Sequence, residues 1–494
     1  MHTRTKICLS LLSLLSLFSL FQSHLAALIR LTPMRTASLT VATISLLSGV
    51  RWIVPCFAAT FISSSSGSVT RKVRSSMTNL SISDRVRQTL DPCIILMKQL
   101  ISKHADKWED QGGIYSLAQG IVYWKPPHAA LDAVCAAATA GPEADIAAIH
   151  TYCPDEGLPE LRASLRKKLQ EENGLIDTDV IVTSGANQAY VNCVLTLLGE
   201  GERCVVFRPY YFNHVMAIQM SRGEGCMLTG PCGDDGVPDL NWLRLELEGK
   251  GGDHIKVVTV VNPGNPTGVS LPRSYLEDIV SLCGQHGVWL VMDNTYEHFD
   301  HINANGQGTE DLEQGEPAFW CSSEEHVINI FSFSKAFSLA GFRMGYIAVS
   351  NRGARGKEMF KQMLKVQDTI AICPARISQI AALASLGAGR DWVAENVSTL
   401  DAGRNAILEA LRPLEKVMGG TGAMYVMAKI PDGLDDQDFA NMLVEEYGVA
   451  VIPGSFCGFP GWIRVCYSNL PPDKCLDAAS RLASGIKEIC AKAK

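Results

Sequence analysis

From about Gly113 onward the chain alternates short, almost wholly apolar runs with amphipathic stretches, and this alternation limits what it can fold into. The runs are VIVTSG (180–185), CVVFRP (204–209), KVVTVVNPGNP (256–266), VWLVMDN (288–294) and VINIFSFS (327–334). A strand that is apolar along its whole length has both faces buried. Helices on either side of a mostly parallel sheet provide that burial, so the expected fold class is α/β. Glu156 to Asn173 reads as one of the covering helices, with Leu158, Leu161, Leu165 and Leu169 on one face and Asn173-Gly174 as its stop. Trp392 to Leu411 reads as another, long and continuous. The last hundred or so residues contain AMYVMAKI, VAVIPGS and IRVCYS before a final helix, which suits a second, smaller α+β domain. No internal repeat is visible.

The 494 residues are 47% apolar and 19% charged with net charge −7, the composition of a soluble globular protein. A slightly acidic chain gives no electrostatic footprint for nucleic acid, and none is expected as a partner. Sixteen cysteines occur without a CxxC pair or a Cys/His ligand spacing. They read as reduced core thiols, with no metal site expected.

The first 76 residues differ from the rest. No Asp or Glu precedes Asp84, whereas eight Lys or Arg do, and Ile7 to Ile29 carries no formal charge. A signal-like apolar tract followed by the Ser-rich, basic SSSSGSVTRKVRSS suggests a two-part targeting segment, organellar and plastid-like. Alternatively Met77 is the true start and the protein is cytoplasmic. A membrane anchor is a third reading, since the first tract is about long enough to span a bilayer. These residues stand outside the fold argument.

Polar residues that look out of place lie at or just past the C-terminal ends of the expected strands, where ligands of open α/β sheets collect. Ser184, Gly185, Ala186 and Asn187 turn a strand into a helix whose free N–H groups suit an anion; small residues at such a turn also serve packing alone. Tyr211 could lie flat on a planar ring, or be core. Asn265, in NPGNPTG, offers an amide donor, or belongs to a plain turn. Asp293 ends a very apolar strand, where a buried carboxylate needs a partner, and Tyr296 follows three residues later; a turn cap is the simpler reading. In SFSKAFSLAGFR, Lys335 in an apolar site would lose proton affinity and become a nucleophile for a carbonyl. Ser332, Ser334 and Arg343 would form a phosphate site, unless Lys335 and Arg343 are solvated on a surface turn. One ligand satisfies every feature: pyridoxal 5′-phosphate, with a phosphate, an aldehyde, a ring nitrogen, a phenolic oxygen and a flat face.

The chain resembles the class I/II aminotransferases of the pyridoxal-phosphate fold-type I superfamily, most specifically at NPGNPTG, DNTY and SFSKAFSLAGFRMGY. The resemblance runs from about Gly113 to the C-terminus. It implies a large domain (131–388) with a mostly parallel seven-stranded sheet. It implies a small domain built from an N-terminal arm (77–130) and the C-terminal segment (389–494). By resemblance Lys335 is the lysine that bonds the cofactor aldehyde, and Asp293 partners the ring nitrogen. Tyr296 and Asn265 hold the ring oxygen, and Tyr211 stacks. Tyr152 reaches the phosphate of a neighbouring subunit, which implies a homodimer with shared sites. Arg464 grips the substrate carboxylate, and the backbone of Gly120 lines the substrate pocket.

SLAQGIVYWKPP, RPYYFNH and MLKVQDTIAICPARISQ are further similar to a plant-type aromatic-amino-acid and methionine aminotransferase branch that uses indole-3-pyruvate or phenylpyruvate as acceptor. Asn294 and Ala186 depart from the broad family, where Glu and Ser or Thr are common. Tyr123 and Trp124 are expected as an apolar wall of the substrate pocket. The expected activity is ping-pong transfer of an amino group from an aromatic amino acid or methionine to a 2-oxo acid. A pyridoxal-phosphate lyase on the same fold is the alternative within the enzymes. A non-catalytic binding or anchor protein, which would not need Lys335, is the alternative outside them.

Overall fold

A computed structural model of the chain describes residues 81–139, 147–301 and 319–492. The expected targeting segment or upstream extension, residues 1–76, lies outside the described residues. Among the described residues no helix is long and apolar enough to cross a membrane. Contacts group Leu80–Lys494 as one unit.

The short strand β1 (Tyr115–Ser116) precedes a seven-stranded sheet. That sheet contains β2 (Thr178–Thr183), β3 (Arg203–Phe207), β4 (Met227–Gly230), β5 (Ile255–Val261), β6 (Trp289–Asp293), β7 (Val327–Ser332) and β8 (Gly345–Ser350). Their spatial order is β2-β8-β7-β6-β5-β3-β4. Only β8 runs against its neighbours; the other pairs are parallel. Side chains alternate between two cores, as a period of two requires. Val257 of β5 and Val291 of β6 enter one cluster with Ile328 and Ile347. Val258, Val260, Leu290 and Met292 enter the other with Leu276 and Ile279 of the helix Arg273–Gln285. Each such side chain contributes roughly 1.5–3 kcal/mol by leaving water.

The C-terminal part holds β9 (Val417–Gly419), β10 (Tyr425–Lys429), β11 (Val449–Ala450), β12 (Ile452–Pro453) and β13 (Trp462–Cys466). Four of them form an antiparallel sheet ordered β12-β13-β10-β9. β1 pairs in parallel with β11, Tyr115 opposite Val449, so the smaller α+β domain is built from both ends of the chain. We retain the domain boundaries at residues 130 and 388 as a proposal, supported by the change from parallel to antiparallel sheet between β8 and β9.

Two elements differ from the sequence reading. The helix expected from Glu156 begins at Pro159, whose ring suits a first helical position, and it ends on Gly174 at φ 68°. The single helix expected from Trp392 to Leu411 is two, Gly389–Ser398 and Asp401–Leu411. At the break Ser398 Oγ donates to Glu395 O (2.7 Å) and Thr399 Oγ1 donates to Asn396 O (2.5 Å). Consecutive hydroxyls thus occupy carbonyls that a continuous helix would use.

Candidate active site

The C-terminal ends of the parallel strands converge on a cavity of about 440 Å³. Asp293 ends β6, Ser332 ends β7, Asn265 follows β5, Tyr211 follows β3, and Ala186 opens the helix after β2. Lys335 lies in the turn after β7. Gly120 and Arg464 reach the same cavity from the smaller domain.

Asp293 is buried, and three donors compensate it. Thr295 gives its backbone N–H (3.0 Å) and its hydroxyl (2.6 Å) to Oδ1, while Oδ2 lies 3.0 Å from His214 Nε2. His214 is itself buried and stacks on Tyr190 with ring centroids 3.9 Å apart.

The Lys335 amine donates to the carbonyl of Gly120. Burial pushes its pKa down from 10.5 to about 8, and the positive charges of Arg343 and Arg464 act in the same direction. Roughly a tenth of such amines are neutral at pH 7, against roughly 0.03% of ordinary lysines. That difference turns a solubilising group into a nucleophile.

Beside it, the helix Ala186–Leu197 begins without a side-chain cap. Its N-terminus, Ser332, Ser334 and Arg343 form a concave anion site. The Ser334 N–H donates to Ser332 Oγ (3.1 Å). Arg343 is held by its own loop, Nη1 to Ala340 O at 2.9 Å, and by the turn after β2, Nη2 to Ser184 O at 3.5 Å. Gly185 has φ 85°, and a Cβ there would lie 2.3 Å from Arg343 Nη2, so this position requires glycine. Ala186 and Asn187 line the cavity, whereas Ser184 and Gly185 support Arg343 behind them. The N–H of Ser184 is taken by Gln188 Oε1 at 2.5 Å.

Arg464, in β13, is 1% exposed, yet no ion pair to an acid is found for it among the described residues. Nη1 donates to Asn265 Oδ1 (3.1 Å) and Nη2 to Ala118 O (2.8 Å), while Nε has no partner. A buried guanidinium without a counter-anion is costly by several kcal/mol. The Tyr425 ring, 4.5 Å from the guanidinium carbon, offsets part of that cost. Asn265 Nδ2 donates to the Tyr296 hydroxyl (3.2 Å), which is also bonded to the Tyr425 hydroxyl (2.8 Å). Tyr211 lines the cavity, its hydroxyl accepting from Asn213 Nδ2 at 2.8 Å.

Three expected aromatic residues stand outside the cavity. Trp124 is core, stacked on Phe299 with centroids 6.3 Å apart, and Tyr123 bonds Thr399 Oγ1 at 2.7 Å; neither lines the cavity. Tyr152 does not line it either and is 75% exposed in the single chain. Asn294, at the familial Glu position, bonds Asn329 Oδ1 (3.1 Å) inside the sheet. Sequence reasoning missed His214, Thr295, Tyr425 and Ile94. His214 stands in the quoted RPYYFNH, but nothing local shows that it faces Asp293.

A family model described as aminotransferase class I and II matches residues 123–482. The aromatic aminotransferase ISS1 of Arabidopsis thaliana is 42% identical over 407 residues, 82% of this chain and 96% of that protein. An aspartate/prephenate aminotransferase of Thermus thermophilus is 30% identical over 324 residues, 64% of this chain and 79% of that protein. Among solved structures, the aspartate aminotransferase of Thermus thermophilus with maleate superposes with a TM-score of 0.69 at 27% identity, covering 82% of this chain and all of that one. The aromatic aminotransferase of Pyrococcus horikoshii gives 0.65 at 26% identity, over 79% of this chain and 99% of that one. With a lysine amine, a buried acid and an anion cradle gathered at the expected strand ends, and with these relatives beside it, the chain belongs to the class I and II aminotransferases.

Proposed function

We propose that this aminotransferase carries pyridoxal 5′-phosphate and moves the amino group of an aromatic amino acid or methionine onto an aromatic 2-oxo acid. The residues present fit that cofactor: the anion cradle at Ala186, Ser332, Ser334 and Arg343 for its phosphate, the low-pKa amine of Lys335 for its aldehyde, Asp293 for its ring nitrogen, and Asn265 with Tyr296 for its phenolic oxygen. Bound there, the cofactor supplies an electron sink for the substrate Cα–H bond. Lys335 Nζ would take the Cα proton of the substrate and deliver a proton to the former aldehyde carbon of the cofactor, which calls for a base whose pKa lies near the working pH. Arg464 fixes the substrate carboxylate and Tyr211 excludes water from one side of the ring.

The observation that carries the reading is the unpaired, buried Arg464 with its free Nε. It supports a carboxylate ligand. Among the described residues the cations lining the cavity are Lys335, Arg343 and Arg464, which leaves none of them for a second, side-chain carboxylate. Ile94, Ile121 and Phe212 provide apolar wall instead. The name of the Arabidopsis relative supports the same preference. The test is a panel of Phe, Tyr, Trp, Met, Asp and Glu as donors, with phenylpyruvate and 2-oxoglutarate as acceptors. Aromatic donors or methionine with phenylpyruvate should exceed aspartate at least about tenfold in kcat/KM, the worth of one unmatched buried charge contact or more. Preference for aspartate would overturn the substrate class.

A further inference from the structure

Tyr425 sits where three parts of the site meet. Its ring lies 4.5 Å from the Arg464 guanidinium carbon. Its hydroxyl is 2.8 Å from that of Tyr296. The same hydroxyl packs on the backbone of Gly120, where an added Cβ would lie 1.9 Å from it. The carbonyl of Gly120 accepts from the Lys335 amine. We infer that Tyr425 is a positioning residue with two separable jobs: its ring holds the carboxylate arginine, and its hydroxyl sets the proton order of the Tyr296–Asn265 pair.

Counting protons leads to the second job. Asn265 Nδ2 donates to the Tyr296 oxygen, which fills one of its acceptor sites. Burial holds both phenols protonated, well above their ordinary range for Tyr296 and raised for Tyr425. Only one of the two protons can lie between the hydroxyls. If Tyr425 donates to Tyr296, the Tyr296 proton is free to point into the cavity, toward a ligand oxygen. If Tyr296 donates instead, it has nothing left for that ligand. The first order is the one a phenolic-oxygen ligand selects, and in it each donor polarises the next. Removing the Tyr425 hydroxyl therefore makes Tyr296 a weaker donor while leaving the ring under Arg464 in place.

This assignment rests on the cofactor and substrate reading above, and its test separates the two. The bound cofactor's absorbance is titrated with pH, and the dissociation constant of 3-phenylpropanoate, a carboxylate with no amine or keto group, is measured calorimetrically. In the parent, an absorbance band that shifts with amino acid, and loss of 3-phenylpropanoate binding in Arg464→Gln, verify the underlying reading; their absence defeats that reading itself. Tyr425→Phe should bind 3-phenylpropanoate within about twofold of the parent, since the cation–π contact survives. Its spectroscopic midpoint should move up by about half to one pH unit, because a weaker donor stabilises the oxygen's negative charge less. Tyr425→Leu should show the same midpoint shift and bind the carboxylate about fivefold to thirtyfold more weakly. Equal carboxylate binding by the Phe and Leu variants would overturn the role of the ring. An unmoved midpoint in Tyr425→Phe would overturn the role of the hydroxyl.

Discussion

Lys335 is chemically useful because it is held where a lysine is unwelcome, and the two facts give one pair of predictions. Lys335→Met should abolish turnover, by several orders of magnitude, since among the described residues no other amine lines the cavity. The cofactor-free protein should nevertheless become more stable. A lysine pKa lowered to about 8 means that between pH 8 and 10.5 the unfolded chain binds more protons than the folded one, so stability rises with pH across that window. Below pH 8 the full penalty is present, on the order of 3 kcal/mol before solvent screening. Thermal melts of the two cofactor-free proteins should differ most at pH 7 and converge toward pH 10.5; a variant that melts lower at pH 7 contradicts the burial argument. Lys335, Asp293 and Arg343 were legible in the sequence because each is polar at or just past an apolar strand, Asn265 because it stands in NPGNPTG after such a strand, and Arg464 only through the resemblance to the family. His214 and Tyr425 were not, because their roles exist only through partners that the fold brings from distant segments: Asp293 for one, Tyr296 and Arg464 for the other.

The helix Pro159–Asn173 is tied to the loop after β6 by a buried network. Lys168 Nζ lies 2.5 Å from Glu297 Oε2 and donates to Asn173 Oδ1 at 2.9 Å, and Asn173 Nδ2 donates to Glu297 Oε2 at 2.7 Å. Burial alone would raise the Glu297 pKa, but Lys168, His298 and the hydrogen bonds outweigh it and hold it below the usual value. Glu297→Ala leaves the buried Lys168 ammonium with only the longer Glu172 contact, 3.8 Å, and should cost about 3 kcal/mol, read as a lower denaturation midpoint. A loss under about 1 kcal/mol would mean that Glu172 or water takes the place of Glu297 beside Lys168. His298, in the same network, and His301 both have pKa values pushed down to about 4 by burial. The unfolded chain binds their protons from about pH 6.5, so stability falls as pH drops from 6.5 to 4 and this contribution then levels off. Replacing both by Gln should flatten that acid limb. At this scale the sequence was informative where strands are long and apolar. It was silent on β4, whose four residues at the sheet edge are mostly half-buried, and on β8, absorbed in the GFRMGY motif. A break made by two hydroxyl side chains at 398 and 399 leaves no mark on the apolar periodicity, which is why one helix was expected there.

At the scale of the whole molecule Tyr152 stands apart from the cavity of its own chain. In the single chain it is 75% exposed, beside a segment whose Tyr152 carbonyl accepts from Arg376 Nη1 at 3.3 Å, and it does not line the chain's own cavity. A large aromatic left in solvent is what a two-fold assembly with exchanged residues would need, because each subunit offers the same patch to the other. We propose that it completes the phosphate cradle of a second copy. Two inactive variants can decide this. In a mixed dimer of Tyr152→Ala and Lys335→Ala subunits, trans action gives one site carrying both changes and one carrying neither. Random pairing then restores about a quarter of the parent activity, since half the dimers are mixed and each has one intact site. Cis action leaves one defect in every site, and mixing restores nothing beyond the average of the two variants. Co-refolding the variants in equal amounts, followed by a transamination assay, distinguishes the outcomes. Recovery near a quarter would make the dimer the smallest complete enzyme, and its absence would return Tyr152 to the surface.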